Sequence, residues 1–214
     1  MIAKTNSASV LGINAHPVDV EVDVSIGLST FNIVGLPDGT IKESRDRVTA
    51  AVTNSGFNFP VRRIVVNLAP AALRKIESGF DLPIALALLG ALRYFPEQVL
   101  EKVMVVGELS LDGAIRPIRG ILPVAVAARD HGFEQLILPK ANEAEAAVVE
   151  EVRRVPVSTL DEVVRYLHGQ QEIQPTTYNP RRLFEERKVF REDFQDVKGP
   201  VSYTHLTLPT NREV

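Results

Sequence analysis

Residues Val18 to Val24 read VDVEVDV, a valine at every second position with an acid between each pair. A side-chain repeat of two puts the four valines on one face and the acids on the other. The segment is therefore predicted as a β-strand with one wet face, which in turn requires a sheet. The second strong pattern is LPIALALLGAL, Leu82 to Leu92, which is predicted as an apolar helix. Pro83 falls in its first turn, where a missing N–H costs little. Asp81 stands just before it and is expected to cap the first-turn N–H groups.

The remaining elements follow from turn signals and periodicity. Gly27 closes the first strand, and Phe31 to Val34 is predicted as a second. After the turn cluster GLPDGT, Thr40 and Glu43 have capping-box spacing, so a helix is expected to start there. Ile41, Val48, Ala51 and Val52 share one face of that helix, and Gly56 stops it. Arg62 to Leu68 is predicted as a buried strand. Val103 to Leu109 and Ala114 to Ile118 are predicted as strands around the turn at Asp112-Gly113. Beyond them a helix is expected at Ile121 to Asp130, a strand at Gln135 to Leu138 and a helix at Asn142 to Glu151. A short strand at Val155 to Val157 and a last helix at Ser158 to Leu167 complete the pattern. Ser158 and Asp161 are expected to cap that helix, with Gly169 just past its end. Some strands pair through hairpins and others are separated by helices. The fold class is therefore α/β, an α+β two-layer arrangement with a mixed sheet.

Composition narrows the function classes. The chain has 214 residues, a net charge of -3 and no cysteine, which removes disulfides and thiolate metal sites and fits a reducing compartment. The first residues lack the basic head and apolar run of a signal peptide, and no stretch is long enough to span a bilayer. A cytoplasmic protein with no membrane partner is expected. No G-x-x-x-x-G-K-[ST] string is present, so no phosphate-cradling loop is expected in this chain. His16, His131, His168 and His205 are scattered, and no metal site is expected.

Charge is polarised along the chain. Between residues 42 and 75 there are 7 basic residues (Lys42, Arg45, Arg47, Arg62, Arg63, Arg74 and Lys75) against 2 acidic, a balance of +5. Between 134 and 164 there are 7 acidic and 3 basic, a balance of -4. The seven basic residues are the candidate DNA contacts, of the kind that tracks phosphates without reading bases. Phe57 and Phe59 alternate with asparagine rather than forming a stacking row, so sequence-specific readout is not expected. The competing reading of the same residues is a solvated face or a contact to a neighbouring subunit.

Five stretches together carry a resemblance: FNIVGLPDGTIKESRDRV, NSGFNFP, RRIVVNLAPA, SGFDLPIALALLGAL and GELSLDGAIRPIRGILPVA. They resemble the amino-terminal domain of the ComM/YifB family, the magnesium-chelatase-like (ChlI-type) competence proteins, over about residues 3–168. One departure is RKIESGFDLP, where the family carries K-E-G-type residues before S-G-F-D-L-P. The resemblance implies a ribosomal protein S5 domain 2-like fold, shared with the Lon protease domain. It also implies a hexameric AAA+ ATPase and DNA helicase that drives branch migration. ATP and Mg2+ would then belong to an AAA+ core beyond this chain, with the chain's own missing ring and possibly DNA, bound without sequence preference, as partners. A pure assembly module without DNA contact is the alternative within that family.

The resemblance to Lon is sharpest at GELSLDGAIRPIRG. Lon-type proteolysis uses a serine nucleophile and a lysine base. Laid on Lon's motifs, the serine position falls on Asp81 and the lysine position on Leu122, so no catalytic residue is expected. A divergent serine peptidase would have to use Ser78 with Lys75 instead, with no lysine at the second motif. Asp81 is then read as a helix cap and Leu122 as core.

From Gly169 the text turns polar, and residues 169–189 are read as a linker. Within 181–198 there are 6 basic and 5 acidic residues. Residues 190–200, beginning FREDFQDVKG, resemble the entry to the family's AAA+ core. The sequence from Val201 onward, VSYTHLTLPTNREV, matches nothing in the family. Residues 201–214 are read as a non-native tail, of which Val201 to Thr210 match a translated sequencing-adapter frame.

Overall fold

The strand signalled by the four valines lies in a seven-stranded sheet. The computed structural model describes residues 1–35, 38–71, 73 and 79–177, and for residues 38–42 and 97 the backbone only. The chain divides into two units, Met1–Tyr178 and Asn179–Val214, and every described residue lies in the first. The predicted AAA+ entry, the adapter-like tail and most of the predicted linker lie outside the described residues.

The sheet is built from β1 (Ile2–Leu11), β2 (Asn14–Ser25), β3 (Thr30–Val34), β4 (Arg63–Ala69), β5 (Val103–Val105), β8 (Gln135–Pro139) and β9 (Arg153–Val157). Their order across it is β3-β4-β2-β1-β5-β8-β9. A two-stranded hairpin of β6 (Glu108–Leu109) and β7 (Ile115–Arg116) stands beside it. Only β2 runs antiparallel to its neighbours, β1 and β4; the other pairs are parallel. Six strands therefore point one way, giving the sheet a carboxyl end and an amino end. The mixed sheet predicted from sequence is present.

Helices α1 (Asp38–Asn54), α2 (Asp81–Ala91) and α5 (Leu160–Leu167) pack with one face, in the cluster that holds Val18, Val20, Val22 and Val24. Helices α3 (Ile121–Asp130) and α4 (Glu143–Ala146) cover the other face, over Met104, Val106, Leu136 and Leu138. Alternation sorts the strands between the two: Val103, Val105 and Ile137 face the first cluster, Met104, Leu136 and Leu138 the second. Every residue of α2 is buried, as its all-round apolar sequence requires.

Strand β1, the middle strand of the sheet, has no counterpart among the predicted elements. Its face toward α2 carries Ala3, Thr5, Ser7 and Ser9, all buried. Small side chains there let α2 lie close: a Cβ on Gly90 would stand 3.6 Å from the Ala3 methyl. Thr5 Oγ1 and Ser7 Oγ have no hydrogen-bond partner among the described residues, a cost of about 1–3 kcal/mol each. Such composition reads as loop in sequence, and only the neighbouring strands make it a core strand.

Other boundaries move for identifiable reasons. Helix α1 begins at Asp38, so Thr40 and Glu43 lie inside its first turns rather than at a cap. Strand β4 is buried on one face only, with Arg63 and Asn67 exposed. The strand predicted over 103–109 breaks after Val105, where Gly107 turns to the start of α2. Its N–H donates to Gly79 O and its carbonyl accepts from Leu82 N–H, both at 3.0 Å. The helix predicted over 142–151 stops at Ala146. Continued, it would turn Glu150 to the core four residues after Ala146; unwound, it leaves Glu150 exposed and buries Val149 and Val152. The cap of α5 is Thr159 rather than Ser158, its side chain accepting from Glu162 N–H at 3.2 Å. Residues 170–177, the start of the predicted linker, lie against the domain: Ile173 is buried and Arg153 donates to its carbonyl.

Candidate functional site

Asp81 is the first residue inside α2, and its side chain does not cap the helix. The carboxylate turns instead toward α1 and β6. It accepts from Ser44 Oγ at 2.7 Å, Arg47 Nε at 2.6 Å, Arg47 Nη2 at 3.3 Å and Leu109 N–H at 3.4 Å. The expected cap is thus replaced by a buried ion pair that ties three elements together. Asp81 is fully buried and the Arg47 side chain is partly buried, 19% exposed. Burial pushes the Asp81 carboxyl above the usual carboxylate range, outweighing the Arg47, Ser44 and Leu109 donors that pull it down. The hydrogen bond to Asp81 raises the Arg47 guanidinium in turn.

Leu122, at the second Lon-like position, is half-buried in the cluster beneath α3. The loop before it is held firmly. Buried Asn142 accepts from Ile118 N–H and donates to Ile118 O, both at 2.9 Å. Gly120, with φ 72, sits where a Cβ would meet Val10 Cγ2 at 3.1 Å, so only glycine fits the turn. Arg116 and Arg119 project from this loop, exposed and without hydrogen-bond or ion-pair partners among the described residues. Ile118 also lies beside Gly79, at the start of α2.

The four basic candidates whose side chains are described, Arg45, Arg47, Arg62 and Arg63, do not share one face. Arg47 is committed to Asp81 and reaches Glu43 at 3.6 Å. Arg45 pairs with Asp46 at 3.3 Å. Arg62 and Arg63 are exposed and unpaired among the described residues, but they stand at the start of β4, the amino end of the sheet. The Arg116–Arg119 loop stands at the carboxyl end, beside Val10 of β1 and Asn142 after β8. The side chain of Lys42, and Arg74, Lys75 and Ser78, lie outside the described residues. Sequence reasoning passed over Arg116 and Arg119 because they fall outside the stretch of densest charge. The signal was there in GAIRPIRG, two arginines three apart in a turn-rich segment.

Among the described residues no group of three His, Cys, Asp or Glu side chains is placed to hold a metal ion, and no helix is long and apolar enough to cross a membrane.

The Lon-like features rest on a measurable similarity. The chain is 28% identical over 160 residues to the Lon protease of Chloroflexus aggregans, covering 69% of this chain and 19% of that one. Fold and site together define a class: a Lon-like α/β domain in which a buried Asp–Arg pair stands at the head of α2. The family described as subunit ChlI of Mg-chelatase matches residues 20–142. The chain is 37% identical over 194 residues to the uncharacterized protein YifB of Escherichia coli, covering 91% of this chain and 37% of the relative. It is 39% identical over 176 residues to the competence protein ComM of Haemophilus influenzae, covering 82% and 34%. The chain belongs to the ComM/YifB family of magnesium-chelatase-like AAA+ proteins. It spans about a third of the length of these relatives.

Proposed function

We propose that this chain is the non-catalytic amino-terminal domain of a hexameric AAA+ ATPase of the ComM type, a cytoplasmic DNA helicase promoting branch migration in DNA uptake and recombination. ATP and Mg2+ would be bound in the part of the relatives' length that this chain does not cover. The observation that carries the non-catalytic reading is the Asp81 ion pair. At the position where a Lon-type peptidase needs a free nucleophile, the side chain is locked to Arg47 and Ser44. Leu122 is an aliphatic residue with no proton to exchange.

The domain's part in the reading is to guide DNA at the carboxyl end of the sheet. Open α/β sheets place ligands at that end. Arg116 and Arg119 stand there exposed, without a hydrogen bond or close ion pair among the described residues, on a loop clamped by Asn142. Arg116 shares its side of the hairpin with Glu108 and Asp112, and the held backbone lets both arginines meet phosphates without being ordered first. Fluorescence anisotropy of a labelled branched DNA tests this. Arg116→Glu with Arg119→Glu is expected to weaken binding at least about tenfold and to lower the salt slope by about 2. Arg62→Glu with Arg63→Glu is expected to leave both unchanged. Equal losses from the two pairs, or no DNA binding by the unsubstituted chain at low salt, would sink the assignment.

A further inference from the structure

The two edges of the sheet expose charge at the amino end of the parallel strands: arginines before β4 and, before β9, two acids that precede Arg153 and Arg154. At the β3–β4 edge, the turn after β2 and the approach to β4 bring Ile26, Leu28, Val61, Arg62 and Arg63 together. Ser25 and Thr30 both lie opposite Arg63, and Thr30 N–H donates to Arg62 O. Ile26 is 92%, Leu28 88% and Val61 84% exposed. Three large apolar side chains so open to water, beside two unpaired arginines, are an unusual grouping for a free surface. Several other exposed basic side chains have acid partners, Lys4 with Asp19, Lys102 with Glu134, Arg129 with Asp130 and Arg165 with Asp161, whereas Arg93, Arg116 and Arg119, like Arg62 and Arg63, have none among the described residues.

At the opposite edge, the approach to β9 carries Val148, Glu150 and Glu151. Val148 is 39% exposed and both acids are exposed. Among the described residues Glu150 has no hydrogen-bond or ion-pair partner, and Glu151 reaches only Arg129 at 3.9 Å. Both patches precede a strand of the parallel set, β4 in one case and β9 in the other, so both lie at the amino end. They are separated by the breadth of the sheet, six strand spacings or about 29 Å.

We infer that these patches are the two halves of one head-to-tail contact: the Ile26–Leu28–Val61–Arg62–Arg63 edge of one copy seats on the Val148–Glu150–Glu151 edge of a second copy of this chain. The second copy is the occupant because the complementary charge and an exposed valine are already present on the same molecule. They lie on the far edge of the sheet and differ from the first patch, as the two sides of a heterologous contact do. An isologous pairing would instead set Arg62 and Arg63 against themselves. The inference rests on the hexameric reading above and assigns its surfaces.

The absence of cysteine makes the test clean. Val61→Cys and Val148→Cys are placed in separate copies of the full chain, mixed and oxidised. The mixture is expected to give a disulfide-linked dimer, with at least about tenfold less product from either variant alone. Arg62→Glu with Arg63→Glu in the first copy is expected to abolish the product, as is Glu150→Arg with Glu151→Arg in the second. Combining the two charge-reversed copies is expected to restore it, which a folding defect would not do. Larger species seen by sedimentation without this cross-link would overturn the surfaces and leave the ring intact. A dominant Val61–Val61 product would overturn both. A monomer that gives no cross-link, or a charge reversal that leaves the product unchanged, would overturn the inference.

Discussion

Asp81 concentrates the chemistry of the domain in one carboxylate. It is fully buried, it holds Arg47 at 2.6 Å and Ser44 at 2.7 Å, and it sits where α1, α2 and β6 meet. Removing one partner of such a pair strands the other. Asp81→Ala is expected to destabilise the domain by about 3 kcal/mol, measured by urea unfolding. Its pH dependence has a definite sign. Burial raises the carboxyl in the folded state, so the fold favours the protonated form. This group's contribution is fully present below the unfolded value of about 4 and declines as pH rises through the raised folded value. Asp81→Asn removes that titration. The stability of Asp81→Asn relative to the unsubstituted chain is therefore expected to rise with pH across that window and to level off above it. A relative stability that falls across the window would mean that Arg47 outweighs desolvation.

At the scale of elements, the close of α2 shows a local rule broken in the open. Arg93 N–H donates to Gly90 O and Tyr94 N–H to Leu89 O, the paired bonds of a Schellman end. The residue that must turn left-handed is Arg93, with φ 63, where glycine is the usual occupant. Its side chain is exposed and unpaired among the described residues, so no contact there offsets the strain. Arg93→Gly is expected to stabilise the domain by about 0.5–1 kcal/mol, read as a higher urea midpoint at unchanged m. The helices and hairpin with strong local signals were legible: α2, α3, α5, and the Asp112-Gly113 turn, where Asp112 accepts from Ala114 N–H at 3.1 Å. Elements whose limits depend on distant partners were not. The predicted helix at 142–151 has the right residues for a helix, but the core beneath α3 claims Val149 and Val152 and ends it early.

Across the whole molecule, the domain extends past its last helix. Ile173 is buried in the main cluster, and Thr176 donates through its N–H and Oγ1 to buried Glu143. A chain ended at residue 168 is therefore expected to be about 2 kcal/mol less stable than one ended at 177, by thermal or urea unfolding. Equal stability would return the segment to the role of a linker.

Family membership, the β2 strand, the all-apolar α2 and the turn glycines were determined by sequence alone, because each depends on residues a few positions apart. The partners of Asp81 lie 34, 37 and 28 residues away, and no local pattern announces them. The role of β1 was decided by what lies on either side of it, since its own hydroxyl-bearing residues favour water. The basic segment was divided by strand direction: β4 carries Arg62 and Arg63 to one end of the sheet, while Arg116 and Arg119 come from a distant hairpin to the other. Charge along a chain is a property of sequence, but charge on a face is set by how the chain is folded back on itself.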